Sequence, residues 1–322
     1  MAICVTGGAG YIGAHVVHSL LQAGQDVIVI DDLSTGSPAR TGSAQLVQLD
    51  LADAGQFGTL TNALGDCSAV IHIAARKQVG ESVSQPARYY QQNIGGLANL
   101  LMAMETQGID RLVFSSSAAC YGQPPVDQVT EDTPALPISP YGETKLIGEQ
   151  LARAAANAWG LRAVSLRYFN VVGCGQEGLG DPAILNLVPM VFDRLRRHQP
   201  PLLFGNDYPT PDGSCVRDYI HVMDIASAHA AALDYLERAE RPHDVFNIGT
   251  GQGTSVLQVL DQVGRTTGLD TTPQLQPRRP GDPATLVADP TRINQVFGWR
   301  ASYSLEQMVD SSWRAWQAAP PA

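Results

Sequence analysis

The sequence predicts an α/β protein in which a doubly wound parallel sheet is accompanied by a smaller domain of mixed α/β structure. Through residues 1–170, short runs rich in β-branched residues alternate with long helical stretches, and these runs are apolar on both faces. Such strands are typical of parallel sheets that are covered by helices and joined by right-handed crossovers. After Asn170 this rhythm breaks and Pro and Gly become frequent, which indicates the second domain.

Six strands are predicted in the first half, because each run has the length and composition of a buried strand. They are Ala2–Thr6, Asp26–Ile30, Gln45–Leu49, Ala69–Ala74, Arg111–Ser115 and Arg162–Tyr168. Helices are predicted at 11–23, 86–107 and 140–159. Gly108 and Gly160 stand directly after the last two helices, where a left-handed C-terminal cap favours glycine.

A late strand at Asp244–Gly249 is expected to return to the first sheet. The expected domains are therefore interleaved: 1–170 with 221–250 form the first, and 171–220 with 251–322 form the second. The final run A-A-P-P-A is expected to fray.

Composition and charge exclude several classes of protein. The chain has 322 residues, of which 44% are hydrophobic and 16% charged, and its formal net charge is −10. Nucleic-acid binders concentrate Lys and Arg, so this balance argues against a nucleic-acid partner. No apolar run is as long as a membrane span, and the N-terminus M-A-I-C-V-T-G-G lacks the basic segment of a signal peptide. We therefore expect a cytoplasmic protein with no membrane partner.

The five cysteines stand at positions 4, 67, 120, 174 and 215. They form neither a C-x-x-C motif nor a Cys/His cluster with metal-binding spacing, so we expect reduced thiols and no metal.

Residues 6–13 read T-G-G-A-G-Y-I-G and connect the first strand to an amphipathic helix. Glycines here let the backbone turn sharply and approach a pyrophosphate at the positive end of the helix. Asp31 ends the second strand 21 positions after Gly10, where an acid accepts hydrogen bonds from the adenosine ribose and repels a 2′-phosphate. The first domain is therefore predicted to be a Rossmann domain that prefers NAD to NADP. Asp50 and Leu51, after the third strand, are expected to flank the adenine.

Tyr141 and Lys145 stand four residues apart in Y-G-E-T-K, which places both side chains on one face of a helix. Ser117 lies in S-S-S-A-A-C-Y-G, just after a strand whose C-terminal end belongs to the ligand-binding edge of such a sheet. A tyrosine must lose its proton to act as a base, and an ammonium ~5 Å away would lower its pKa from about 10 to about 7–8. We therefore expect Tyr141 to be a general base, with Ser117 relaying the proton of a sugar hydroxyl.

Several motifs together resemble the extended short-chain dehydrogenase/reductase family, and within it the UDP-galactose 4-epimerase family. They are T-G-G-A-G-Y-I-G, A-A-R-K-Q-V-G-E-S, S-S-S-A-A-C-Y-G, S-P-Y-G-E-T-K, R-Y-F-N, F-G-N-D-Y-P-T-P-D-G and V-R-D-Y-I-H-V-M-D. The matches extend from residue 3 to about residue 316, nearly the whole chain.

The resemblance implies that the chain interconverts UDP-glucose and UDP-galactose through a transient 4-keto sugar, with NAD as a resident cofactor and a homodimer as the assembly. Tyr141 would take the proton of the 4-hydroxyl, and Lys145 would also hold the nicotinamide ribose. The implied cofactor set is Gly7, Gly10, Tyr11, Ile12, Gly13, Asp31, Asp32, Asp50, Leu51, Ala74, Lys77, Asn93, Ser115, Tyr141, Lys145 and Tyr168. The implied substrate set is Lys77, Ser117, Tyr141, Asn170, Asn186, Leu187, Phe204, Arg217, Arg279, Asp282 and Leu286.

Other sugars and other reactions remain open at this stage. Leu286 stands where many epimerases have an aromatic residue, which leaves UDP-N-acetylglucosamine and UDP-pentoses as alternative substrates. A sugar-nucleotide dehydratase or decarboxylase of the same fold is a second alternative, but Ala118 and Ala119 follow Ser117 where a dehydratase needs an acid. A dinucleotide-sensing regulator is a third, although such a protein has no need of the Ser/Tyr/Lys set.

Overall fold

The computed structural model describes residues 1–239, 241–279 and 281–318, so the last four residues of the expected frayed tail lie outside the described residues. The chain forms two compact units. The first unit comprises Met1–Gly122, Ala135–Tyr168 and Ala226–Phe246, and the second comprises Gln123–Pro134, Phe169–Ile225 and Asn247–Ala322. The units differ from the expected domains mainly at 123–134 and 221–225, which lie in the second unit.

A seven-stranded sheet contains all six strands predicted in the first half and the predicted late strand. Its strands are β1 (Ala2–Thr6), β2 (Val27–Asp31), β3 (Gln45–Gln48), β4 (Cys67–His72), β5 (Arg111–Ser117), β7 (Arg162–Tyr168) and β11 (His243–Ile248). Their spatial order is β11-β7-β5-β4-β1-β2-β3. The pairs β1–β2, β1–β4, β2–β3, β4–β5 and β5–β7 are all parallel, which confirms the predicted fold class.

Helices follow most of these strands. They are α1 (Tyr11–Gln22), α2 (Phe57–Leu64), α3 (Val79–Ser84), α4 (Pro86–Tyr89), α5 (Gly96–Gln107) and α6 (Pro140–Trp159), whereas α8 (Val222–Leu236) precedes β11. Gly108 and Gly160 adopt the expected left-handed caps, with φ of 68° and 80°. Apolar side chains of the sheet, such as Ile30, Val70 and Leu112, form one core cluster with Leu97 and Met104. This cluster results from strands that are apolar on both faces.

The predicted helix 86–107 is interrupted. Between α4 and α5, residues Tyr90–Gly95 form a π-helical turn. A π turn inserts extra backbone into the helix and often occurs at functional sites. Asn93 lies in this turn and is buried.

The second unit contains shorter strands and further helices. The strands are β6 (Gln128–Val129), β8 (Asn170–Val172), β9 (Leu202–Phe204), β10 (Val216–His221), β12 (Gly253–Ser255), β13 (Gln274–Gln276) and β14 (Thr285–Ala288). The helices are α7 (Leu187–Arg196), α9 (Val256–Thr267), α10 (Thr291–Phe297) and α11 (Leu305–Ala318). Their core cluster includes Phe192, Tyr219, Val259, Val309 and Trp316.

Candidate active site

The glycine loop after β1 packs too tightly for side chains. A Cβ on Gly13 would lie 2.0 Å from the carbonyl oxygen of Gly7, and a Cβ on Gly7, whose φ is +72°, would lie 2.6 Å from the amide nitrogen of Ala74. Gly10 is the N-cap of α1, and no side chain caps this end of the helix. The first N–H groups of α1 can therefore donate to a ligand. Because these donors point along the helix dipole, the loop fits a pyrophosphate.

Asp31 at the end of β2 is attached to this loop. One carboxylate oxygen accepts from the backbone N–H of Ala9 at 3.0 Å, and the other accepts from Leu33 N–H at 2.9 Å. Burial raises the pKa of Asp31, while both hydrogen bonds act to lower it. Asp32 is exposed and accepts from the backbone and hydroxyl of Ser34.

The other residues predicted to contact the cofactor, on its adenine side and on its nicotinamide side, belong to the first unit. Asp50 accepts from Ala52 N–H at 2.9 Å, and Leu51 is buried. The amide of Asn93 accepts from Arg76 N–H at 2.8 Å and donates to Thr144 Oγ1 at 3.0 Å, so it joins the segment after β4 to α6. In that segment, Ala74 is half-buried and Lys77 is exposed. At the start of α1, Tyr11 is buried and Ile12 is half-buried.

Tyr141, Lys145 and Ser117 converge where β5 ends and α6 begins. Ser139 caps α6 by accepting from Gly142 N–H at 3.2 Å, which fixes the start of the helix. Tyr141, in the first turn, lies close enough to Ser117 for the serine hydroxyl to act on the pKa of the phenol. One turn later, the buried ammonium of Lys145 donates to the carbonyl oxygen of Ser115 at 2.7 Å. The structure therefore brings the three predicted catalytic residues together.

The charges in this set differ from the sequence-based expectation. Burial raises the pKa of Tyr141 to about 12, although the nearby hydroxyl of Ser117 acts to lower it. Burial lowers the pKa of Lys145 to about 8, while Cys120 and Glu149 act to raise it. The expectation that Lys145 alone brings the pKa of Tyr141 to about 7–8 is wrong for the chain itself, because the low-dielectric surroundings disfavour both charged forms.

Tyr168, at the end of β7, is buried beside the same strands. Its hydroxyl hydrogen-bonds to Ser115 Oγ at 2.7 Å and to the imidazole of His229 on α8. The C-terminal ends of β2, β5 and β7 thus provide Asp31, Ser117 and Tyr168 at one edge of the sheet. Ligands of doubly wound sheets bind at this edge.

In the second unit, Arg217 and Leu286 are register partners on the adjacent strands β10 and β14. Arg217 is mostly buried, donates to the Val216 carbonyl at 2.8 Å, and lies 3.6 Å from a carboxylate oxygen of Asp282. Leu286 is 9% exposed. Three predicted substrate residues therefore form one group within this unit.

The remaining predicted substrate residues also belong to the second unit. The guanidinium of Arg279 lies 3.8 Å from the centroid of the Phe204 ring, a cation–π contact. Asn186 donates to Asp181 at 2.7 Å and precedes Leu187, the first residue of α7. Asn170, the first residue of β8, is exposed.

Sequence reasoning missed several residues of the site region. Glu149 accepts hydrogen bonds from Ser116 and Arg167 inside the first unit, and His229 contacts Tyr168. In the second unit, the carboxylate of Asp218, next to Arg217, accepts from Thr250 and Gly251 N–H groups. For Glu149, the sequence does contain a signal, because the spacing of four residues continues from Tyr141 through Lys145 to Glu149.

Among the described residues there is no group of three or more His, Cys, Asp or Glu side chains that could hold a metal ion. Within the same ranges, every helix is too short or too polar to cross a membrane. All five cysteines are free and buried.

A nucleotide-binding α/β sheet with a Ser/Tyr/Lys set at its ligand edge defines a short-chain dehydrogenase/reductase-type enzyme. Residues 3–249 match the model of the NAD dependent epimerase/dehydratase family, and the chain belongs to this family.

Its relatives are similar over their full length. A UDP-glucose 4-epimerase of Halalkalibacterium halodurans is 41% identical, over 100% of this chain and 97% of the relative. The crystal structure of UDP-glucose 4-epimerase from Bifidobacterium longum in complex with NAD+ and UDP is 35% identical, with a TM-score of 0.91 over 99% of each chain. The UDP-Glc/GlcNAc 4-epimerase from Campylobacter jejuni is 35% identical, with a TM-score of 0.85 over 98% of this chain and 99% of that one.

Proposed function

We propose that the chain interconverts UDP-glucose and UDP-galactose by NAD-dependent epimerisation at C4. The observation that carries this conclusion is the convergence of three side chains where β5 ends and α6 begins: Tyr141 lies beside the hydroxyl of Ser117, and Lys145, one helical turn away, donates to the Ser115 carbonyl. Full-length similarity to UDP-glucose 4-epimerases supports the same reaction. The first unit would bind NAD and the second would bind the UDP-sugar.

Bound NAD would supply a reversible hydride acceptor for C4 of the sugar, so that the cofactor would not be consumed over a full cycle. The residues of the first unit fit this cofactor. The start of α1, which has no side-chain cap, would bind the pyrophosphate. Asp31 would bind the adenosine ribose, and Lys145 would bind the nicotinamide ribose. Asp50 and Leu51 would flank the adenine.

Tyr141 would act as the base for the 4-hydroxyl, and Ser117 would hold that hydroxyl and relay its proton. The raised pKa of Tyr141 means that a further positive charge must act on the phenol before it can ionise at neutral pH. Lys145, held by the Ser115 carbonyl one helical turn from Tyr141, would supply a positive charge that favours the phenolate. Removal of the 4-hydroxyl proton would therefore depend on the relative positions of Tyr141, Ser117 and Lys145.

The second unit would bind the UDP through its arginines. Arg217 and Arg279 are suited to a diphosphate, because guanidinium groups form paired hydrogen bonds with phosphate oxygens. Asn170, Asn186, Leu187, Phe204 and Asp282 would complete this site.

A dehydratase is the competing reaction. Ala118 and Ala119 form a tight 3₁₀ turn with Cys120 and Tyr121 directly after Ser117. This turn places methyl groups where elimination of water needs a proton donor, which favours epimerisation.

The experiment that tests the proposed function uses purified protein without added NAD. We expect UDP-galactose to be converted to UDP-glucose until both are present, with bound NAD in the protein and no net NADH. If the sugar is consumed only after NAD is added, with one NADH formed per sugar, the protein is a dehydrogenase instead.

Replacing Asp31 tests the cofactor preference. Asp31→Ala removes a charged acceptor worth ~1.5–3 kcal/mol, so NAD affinity should fall about 10- to 100-fold and discrimination against NADP should relax. Asp31→Asn keeps an oxygen for the Ala9 N–H but loses the charge, so it separates support of the loop from ribose recognition. Affinities for NAD and NADP are measured by fluorescence titration. An unchanged ratio of the two in both variants would contradict the assignment.

Replacing Leu286 tests the sugar preference. Leucine is smaller than tyrosine yet larger than serine, and a pocket wall of this kind discriminates by ~1–3 kcal/mol. UDP-galactose should be the better substrate, and UDP-N-acetylglucosamine should react slowly. Leu286→Tyr should reduce kcat/KM for the acetamido sugar at least about tenfold and largely spare the galactose reaction, whereas Leu286→Met serves as a volume-matched control. Equal effects on both sugars would exclude this residue as the wall.

We propose a homodimer, on the basis of the family resemblance, and a cytoplasmic location, on the basis of five scattered free cysteines. Light scattering after size-exclusion chromatography measures the first, and fractionation of the source cells measures the second. A monomer at micromolar concentration would contradict the dimer.

A further inference from the structure

Three residues at successive spacings of four lie on one face of α6: Tyr141, Lys145 and Glu149. The first two belong to the proposed catalytic set, whereas Glu149 lies two turns from Tyr141. Glu149 is nevertheless buried, with only 4% of the residue exposed, so its carboxylate needs partners that replace the hydrogen bonds of water.

Those partners come from two neighbouring strands. Arg167 on β7 binds the Glu149 carboxylate with both arms of its guanidinium, through Nε at 2.8 Å and Nη2 at 2.7 Å. Ser116 on β5 donates to the same carboxylate at 2.5 Å. Ser116 and Arg167 are register partners across these strands, so one helix side chain binds two strands at the same level.

The next register pair along the same strands is Ser117 and Tyr168. The attachment of α6 therefore lies one residue before Ser117, the serine beside Tyr141. The helix is also close to β5, because a Cβ on Gly148 would lie 2.4 Å from the ring of Phe114. This close approach excludes a larger side chain at position 148 and lets the helix rest directly on the strand.

We propose that the Glu149–Arg167 pair is a positioning device that fixes α6 on β5 and β7 and thereby sets Tyr141 against Ser117. The guanidinium fork fixes both distance and direction, which a single hydrogen bond or an apolar contact does not. The ring of Tyr121, 4.8 Å from the guanidinium carbon, holds the Arg167 plane from another side. This role rests on the proposed epimerase activity for its catalytic consequence.

The test uses two variants and a matched control. Glu149→Gln keeps the size of the side chain and loses its charge, and Arg167→Lys keeps the charge and loses the fork. Asp110→Asn breaks a different ion pair of β7, between Asp110 and Arg162 at 2.6 Å, at the opposite end of the strand. All three are compared with the wild type for kcat, KM, bound NAD and unfolding temperature.

Both variants should lose at least about tenfold in kcat while KM for UDP-galactose and the bound NAD stay within about threefold, because misplacement of a reacting group lowers the rate before it lowers binding. Glu149→Asp, which shortens the side chain but keeps the charge, should not restore kcat. Asp110→Asn should keep the wild-type kcat. A kcat near the wild-type value in Glu149→Gln and Arg167→Lys would overturn the proposal.

A second measurement is independent of turnover. With ¹³C-labelled tyrosine, the Cζ resonance of Tyr141 is identified by its loss in Tyr141→Phe. This resonance should shift in Glu149→Gln and Arg167→Lys and stay in place in Asp110→Asn, because its chemical shift depends on the surroundings of the phenol, which include the Ser117 hydroxyl. An unchanged resonance in folded Glu149→Gln would exclude the positioning role, whereas an inactive wild type with the expected shifts would contradict the epimerase function alone.

Discussion

Tyr141→Phe is expected to lower kcat for UDP-galactose by at least ~100-fold, since loss of a general base typically costs two to four orders of magnitude. The phenyl ring fills the same space, and only the phenolic oxygen beside Ser117 is removed. The amount of bound NAD and the affinity for UDP should therefore remain close to the wild-type values.

Tyr90→Phe is the matched control, because Tyr90 also donates a hydroxyl to α6, at Glu143, and lies outside the proposed catalytic set. It should stay within about threefold of the wild-type kcat, as expected for a surface change. Near-normal turnover in Tyr141→Phe would show that another group takes the proton.

Lys145→Met is expected to lower kcat by about 100-fold as well, because the ammonium that favours the phenolate is lost. It should also weaken NAD retention, since Lys145 is proposed to hold the nicotinamide ribose. This second effect distinguishes Lys145→Met from Tyr141→Phe, and kcat together with the NAD content of the purified protein measures both.

The stability of Lys145→Met provides a check that does not depend on activity. The pKa of Lys145 falls from 10.5 to about 8 in the folded protein, so between these values the unfolded chain binds more protons than the folded one. The free energy of unfolding of the wild type should therefore rise with pH in this window through Lys145. Relative to the wild type, the variant should be least stable near pH 10.5 and gain as the pH falls to about 8. Parallel unfolding curves across that range would mean that Lys145 titrates normally.

The strands of the first sheet could be predicted because their information is local. Each is a short run that is apolar on both faces, and β1 and β7 agree with the predicted bounds at both ends. The helix 86–107 was predicted as continuous because helical periodicity continues through it. The π turn at 90–95 needs a tertiary cause, and the bonds of Asn93 to Arg76 and Thr144 fix its side chain there.

The pKa of Tyr141 could not be predicted from the spacing of Tyr141 and Lys145. Spacing predicts that two groups lie on one helical face, but the pKa also depends on how much water surrounds them. In the folded chain, burial acts more strongly on the pKa of Tyr141 than the nearby hydroxyl of Ser117 does.

The sequence by itself determined the doubly wound sheet, the glycine loop and the Tyr/Lys pair, because each depends on residues within one strand or a few helical turns. Only the tertiary structure decided that Glu149 binds Ser116 and Arg167. These three residues come from α6, β5 and β7, and the register of the two strands sets their distance. A buried carboxylate is stable only with such partners, and their identity is fixed by the packing of distant segments.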